Sequence, residues 1–241
     1  MKNKKKFKYI KLLITIIFII IIALCFFYND YKNRKINEEI KEIYYQKEDE
    51  KDEEENSFQQ KFDPLLKINK DVIGWIRIPE TNIDYPVLKT NNNDYYLRHN
   101  IMREKTSVGS IFMDFRNKGD GTDRHSIIYG HRTNNKTMFT GLMNYKDKEF
   151  FYRNNIIIFN ILEEEIKWEI FSAYITSIDF YYIITKFNSD QEFLKFINMI
   201  QDKSEYKTDV VLEADDKILT LSTCTYELED ARFVIHARRI N

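Results

Sequence analysis

"TLSTCTYELEDARFVIHARRI", residues 220–240, holds two runs of strand character, TLSTC and ARFVIHARRI, joined by the polar turn TYELED. With KIL ahead of it, the first run alternates Leu219 and Leu221 with Thr220 and Ser222, the period of a half-buried strand. Cys224 closes that strand and Arg232 opens the next, so the turn can fold a planar cationic fork back beside the thiol. A strand end is a rigid ledge from which a side chain can act. Taken alone, the stretch leaves two readings of Cys224 open, an inert packed cysteine or a nucleophile.

Working outward, the same alternation recurs along the chain. "GWIRIPETNIDYPVL" reads as two short strands broken at Pro79, and "VGSIFMDF", "HSIIYGHR", "NIIIFNI" and "IKWEIFSAYITS" add four more. With the two C-terminal runs these make eight short strands separated by turns, the pattern of a closed or nearly closed barrel. One segment departs from it: "NSDQEFLKFINMIQDK" has Ser189 and Glu192 as a capping box and then Phe193, Phe196, Ile197 and Ile200 at helical spacing. A helix is expected there, just before the cysteine strand. A weaker helical stretch follows His131, around "NKTMFTGLMNY".

The N-terminus carries a different signal. "MKNKKKFKYIK" has lysine at six of its first eleven positions, and Leu12 to Tyr28 then run for 17 residues without a charge. As a helix those residues span roughly 26 Å, close to a bilayer core. Ala23, Leu24 and Cys25 lead into Phe26, Phe27 and Tyr28, a poor cleavage site, so the reading is an uncleaved anchor. The lysines keep residues 1–11 cytoplasmic, residues 12–28 cross the membrane once, and everything beyond lies outside the cell. Residues 29–62 read as a charged, partly helical extracellular spacer with a solvated acidic run at 48–56, and Asp63-Pro64 opens the remaining domain, 63–241.

Lys plus Arg number 37 against 38 Asp plus Glu, so no basic field points to nucleic acid. No CxxC, HExxH or P-loop pattern occurs, which gives metal, nucleotide or other cofactor chemistry no support. Cys25 falls in the apolar segment and reads as filler, leaving Cys224 the one exported thiol. A thiol nucleophile needs a group to manage its proton and another to stabilise the oxyanion formed at a carbonyl. Of the four histidines, His99 and His125 sit in polar surroundings and read as surface residues. His236 lies four residues along the strand from Arg232, about 13 Å away, and reads as a packing residue. His131 ends "SIIYGHR" at a strand terminus, where Gly130 permits an unusual backbone angle, and is the candidate partner of Cys224.

"TLSTC" closing one strand, Arg232 opening the next, "YGHR" about ninety residues upstream and "GSIFMDFRN" at 109–117 together resemble the sortases, specifically class B, over residues 63–241. The resemblance implies a mainly β fold: an eight-stranded sortase-type barrel with an N-terminal helical region and a helix inserted before the cysteine strand. It implies a thiol transpeptidase that cleaves the sorting signal of exported proteins after Thr and passes them to an amine of a peptidoglycan precursor or cross-bridge. By the same resemblance Cys224 attacks the peptide bond, His131 handles the proton of the leaving and incoming amines, and Arg232 binds the carbonyl or oxyanion. Asn93, Leu97, Tyr129, Tyr182, Ile183 and Ser222 match the groove that holds the signal peptide. Thr225 stands where some relatives carry an acidic residue. An exported cysteine peptidase or amidase would use the same thiol and histidine, and a tethered wall-binding module would use neither; an arginine as third member, rather than Asn or Asp, favours the transpeptidase.

Overall fold

A computed structural model of the protein describes residues 2–46, 57–177, 179–224 and 231–240. The chain divides into two compact units, Met1–Glu42 and Ile43–Asn241. A single helix, α1, runs uninterrupted over Lys2–Tyr45, and its apolar part is long and apolar enough to cross a membrane. Residues 47–56, which include the whole of the acidic run at 48–56, lie outside the described residues.

The second unit begins at Ile43, followed at once by Tyr44 and Tyr45. Tyr44 is buried, stacked on Trp75 with ring centroids 4.1 Å apart, and its hydroxyl accepts from Asn160 Nδ2 at 2.9 Å. Tyr45 and Trp75 both donate to Asp84 Oδ1, at 2.9 and 2.6 Å. Helix α2, Ser57–Ile68, continues through Asp63-Pro64, the pair read from sequence as a boundary, and buries Phe62 and Leu65 on either side of it.

Eight strands follow: β1 Val72–Arg77, β2 Asp84–Leu88, β3 Ile111–Met113, β4 His125–Tyr129, β5 Ile156–Ile161, β6 Glu165–Thr176, β7 Ile218–Cys224 and β8 Arg232–Arg239. They close into a barrel in the order β1-β2-β3-β4-β7-β8-β6-β5, with β5 returning to β1. Most pairs are antiparallel, but β2 with β3 and β4 with β7 are parallel. Parallel neighbours need a crossover. The first crossover is the long segment 89–110; the second spans everything between β4 and β7, including a 3-10 helix at Phe139–Lys146, α3 Lys148–Arg153 and α4 Asp190–Asp202.

Strand alternation sorts the side chains into two apolar bodies. Leu219, Leu221, Phe233, Ile235, Ile128 and Trp168 join the barrel interior. Val234, Tyr174 and Phe171 face outward and are covered by Phe193, Phe196, Ile197 and Ile200 of α4, together with Tyr182. The capping box that announced α4 forms with a twist: Ser189 Oγ accepts from Glu192 N at 3.1 Å, while Glu192 reaches back to Asn188 N at 2.7 Å, one residue before the cap.

His125 corrects the sequence reading of a surface histidine: it is fully buried. Its ring packs on Phe196 of α4, 4.9 Å between centroids, so the helix covers the strand end that the polar flanks Arg124 and Ser126 had suggested was exposed. His99 is half-buried and stacks on Tyr95 at 4.1 Å. His236 is fully buried and packs on Tyr174, as its strand position suggested.

Candidate active site

Register builds the site. Cys224 at the end of β7 is the cross-strand partner of Arg232 at the start of β8, and Tyr129 at the end of β4 is paired with Ser222. Directly opposed residues hold their Cα atoms about 5 Å apart, so three strand ends converge on one patch. Gly130 extends the β4 pairing by donating its N–H to Ser222 O at 3.2 Å, and His131 follows. The side chain of Cys224 and residues 225–230, Thr225 among them, lie outside the described residues.

Beside these strand ends lies a groove of about 200 Å³ lined by Asn93, Leu97, Phe112, Tyr129, Gly130, His131, Ser222, Thr223 and Arg232. Six of the nine residues proposed from sequence therefore share one cavity. Tyr182 reaches it through Ser222, with their hydroxyl oxygens 2.7 Å apart, but is itself largely buried. Ile183 packs instead against the apolar layer under α4. Phe112 and Thr223 line the groove without having been singled out; the buried Thr223 hydroxyl has no hydrogen-bond partner among the described residues.

The crossover 89–110 brings Asn93 and Leu97 to the groove, and its anchors are specific. Tyr96 is buried; its hydroxyl donates to Asp71 Oδ2 at 2.7 Å and accepts from Asn69 Nδ2 at 2.8 Å. Gly109 has φ +59°, and a Cβ there would sit 2.6 Å from Tyr96 O and 2.7 Å from Leu97 O, so only glycine lets the chain turn into β3 this close. Leu97 then faces the histidine with its main chain: His131 Nε2 lies 2.8 Å from Leu97 O. A carbonyl oxygen only accepts, so Nε2 carries the proton and, in the neutral ring, Nδ1 carries the lone pair.

Gly130 turns out to be required for space rather than for backbone angle, since its φ is not positive. A Cβ at Gly130 would lie 2.4 Å from Ile111 Cδ1 and 2.7 Å from Phe139 Cγ, so the chain entering His131 is pressed against the barrel wall. Arg232 is half-buried, with Nη1 donating to Ala231 O at 3.1 Å. The arrangement offers an imidazole with one committed nitrogen, a guanidinium opposite the cysteine backbone, and an apolar wall with a few polar groups, the makings of a peptide-bond site. Among the described residues no cluster of ligating side chains suits a metal ion.

A family model described as "Sortase domain" matches residues 76–240. A curated relative, Sortase B of Listeria monocytogenes, is 40% identical over 178 residues, 73% of this chain and 72% of the relative. The crystal structure of sortase B from Bacillus anthracis in complex with AAEK1 superposes with a TM-score of 0.80 at 40% identity, covering 89% of this chain and 99% of that one. A Staphylococcus aureus sortase B–substrate complex gives 0.80 at 34% identity, covering 88% and 98%.

Proposed function

The chain belongs to the sortase family, and on that premise we propose that Cys224, His131 and Arg232 carry out its cysteine transpeptidation on a sorting signal cleaved after Thr. The observation that carries this reading is the register that opposes Cys224 to Arg232 at the rim of the groove containing His131.

The Cys224 thiolate attacks the carbonyl carbon of the scissile bond, and the electron pair moves onto oxygen. Arg232 donates to that oxyanion. As the tetrahedral adduct collapses, the C–N bond breaks and protonated His131 delivers a proton from Nδ1 to the departing amine, leaving a thioester. An incoming amine of a peptidoglycan precursor or cross-bridge then gives its proton to the same nitrogen, attacks the thioester and releases the thiolate. The Leu97 carbonyl holds Nε2–H throughout, so proton traffic is confined to Nδ1. Asn93, Leu97, Tyr129 and Ser222 bind the signal peptide in the groove, with Tyr182 supporting Ser222 and Ile183 beneath.

The N-terminal lysines hold residues 1–11 in the cytoplasm, residues 12–28 cross the membrane, 29–62 form the spacer and the catalytic domain from 63 onward works outside the cell. Full-length protein in detergent micelles, given a signal-type peptide and an amine acceptor, should release an amine-capped product identifiable by mass. Cys224→Ala should abolish it. Undiminished cleavage by that variant would sink the mechanism, and free acid as the main product in the presence of amine would favour a peptidase.

A further inference from the structure

Asn93 and Tyr129 line the groove, and both are tied to a carboxylate that does not. Asp114, just after β3, is fully buried. Its Oδ1 accepts from Arg116 Nε at 2.7 Å and from Arg116 N at 3.0 Å. Its Oδ2 accepts from Arg116 Nη2 at 2.8 Å, the Tyr129 hydroxyl at 2.9 Å and Asn93 Nδ2 at 3.1 Å. Burial alone would push this carboxyl up, but the hydrogen bonds from Arg116, Tyr129 and Asn93 outweigh it and hold the group below the usual carboxylate range.

An ionised carboxylate only accepts, and that fixes the polarity of both neighbours. The Asn93 amide cannot flip, because Nδ2 is on Asp114 while Oδ1 accepts from Phe115 N at 2.9 Å. One Nδ2–H remains. The Tyr129 hydroxyl proton is committed to Asp114, and burial with the adjacent carboxylate keeps the phenol from ionising. Its oxygen lone pairs remain.

We propose that Asp114 is a positioning residue for peptide recognition: it makes the groove present one N–H donor from Asn93 and one acceptor oxygen from Tyr129. A carboxamide or peptide unit carries the complementary acceptor and donor, whereas a carboxylate side chain carries no donor for Tyr129. This rests on reading the groove as the sorting-signal site.

The test is steady-state peptide cleavage by the full-length enzyme in detergent, comparing Asp114→Asn, Tyr129→Phe, Asn93→Ala, the last two combined, and all three combined. The main-chain Arg116 N–H, which cannot turn away, keeps the amide oxygen of this variant in the place of Oδ1 and so sets its N–H groups where Tyr129 and Asn93 donate, and one or both of those must turn away. Asp114→Asn should raise KM about fivefold, the scale of one hydrogen bond, with kcat within about twofold. In a background carrying both Tyr129→Phe and Asn93→Ala the same change should add less than about twofold. Independent, multiplying effects overturn the proposal, as does an unchanged KM in Asp114→Asn when Tyr129→Phe raises it. If Tyr129→Phe and Asn93→Ala also leave KM unchanged, the groove reading itself falls and takes this inference with it. Should Asp114→Asn not fold, Arg116→Met supplies the readout: it removes the Nε and Nη2 donors and leaves Arg116 N, Tyr129 and Asn93 facing Asp114. Its KM should then rise about threefold more than that of the unaltered enzyme between pH 7.5 and 5.5, as Asp114 gains a proton and one of its two acceptor oxygens becomes a donor. Parallel pH profiles overturn the proposal.

Discussion

Acidification should destabilise the barrel through one buried chain of hydrogen bonds. His125 Nδ1 lies 2.5 Å from Ile184 O, and because a carbonyl only accepts, Nδ1 carries the proton and Nε2 accepts from Thr220 Oγ1 at 2.6 Å. Thr220 Oγ1 must then accept from His236 Nδ1 at 2.7 Å, and His236 Nε2 from the Tyr174 hydroxyl at 2.7 Å. Every link is satisfied only with both imidazoles neutral. Burial brings His125 down to about 4 from an ordinary 6.5, the hydrogen bond to Ile184 O and then the nearby Asp114 carboxylate only partly offsetting it, and His236 shifts in the same direction from burial and the neighbouring His125. The unfolded chain therefore binds more protons between those limits: stability is complete above pH 6.5 and is lost as pH falls toward 4. For His125 alone the full loss is about 3 kcal/mol, of which about 2 kcal/mol falls between pH 7 and pH 5. Denaturant unfolding followed by tryptophan fluorescence at pH 7 and pH 5 measures it, with His125→Phe as the comparison. The unaltered protein should lose about 2 kcal/mol more than His125→Phe over that interval. Equal losses in the two proteins would refute the reasoning.

Two further outcomes follow from packing. Gly130→Ala drives a methyl group into Ile111 and Phe139 at the residue before His131, so it should cost about 1–3 kcal/mol in unfolding free energy and reduce kcat by displacing the imidazole, both measurable on one preparation. A fragment beginning at Ser57 loses Tyr44 from the face of Trp75 and Tyr45 from Asp84; against a fragment beginning at Asn29 it should be less stable by about 2–4 kcal/mol, and equal denaturation midpoints would contradict the role given to that stack.

The barrel was readable in the sequence because each strand has one face on the core, and Leu219 and Leu221 against Thr220 and Ser222 announce that directly. The α4 helix was readable because its cap and its apolar spacing are both local. What sequence did not disclose depends on partners far along the chain. His125 has polar neighbours, and only the pairing of β4 with β7, roofed by α4, buries it. Gly130 suggested a special backbone angle, whereas the constraint comes from Phe139 and Ile111 across the wall. Asp114 stood inside a recognisable motif, yet its hold on Asn93 and Tyr129 exists only once the 89–110 crossover is folded back.

The parallel pairing of β4 with β7 also sets a clock. Ile127 is matched with Thr220, and no turn can bring them together early; the loop between must close first, at an entropic cost that only later contacts offset. His131 follows β4 by two residues and Cys224 ends β7, so the thiol and imidazole proposed as partners meet only once the last two strands have been laid in place. With those two residues in the proposed roles, activity is deferred to the end of folding and a partly made enzyme is chemically silent.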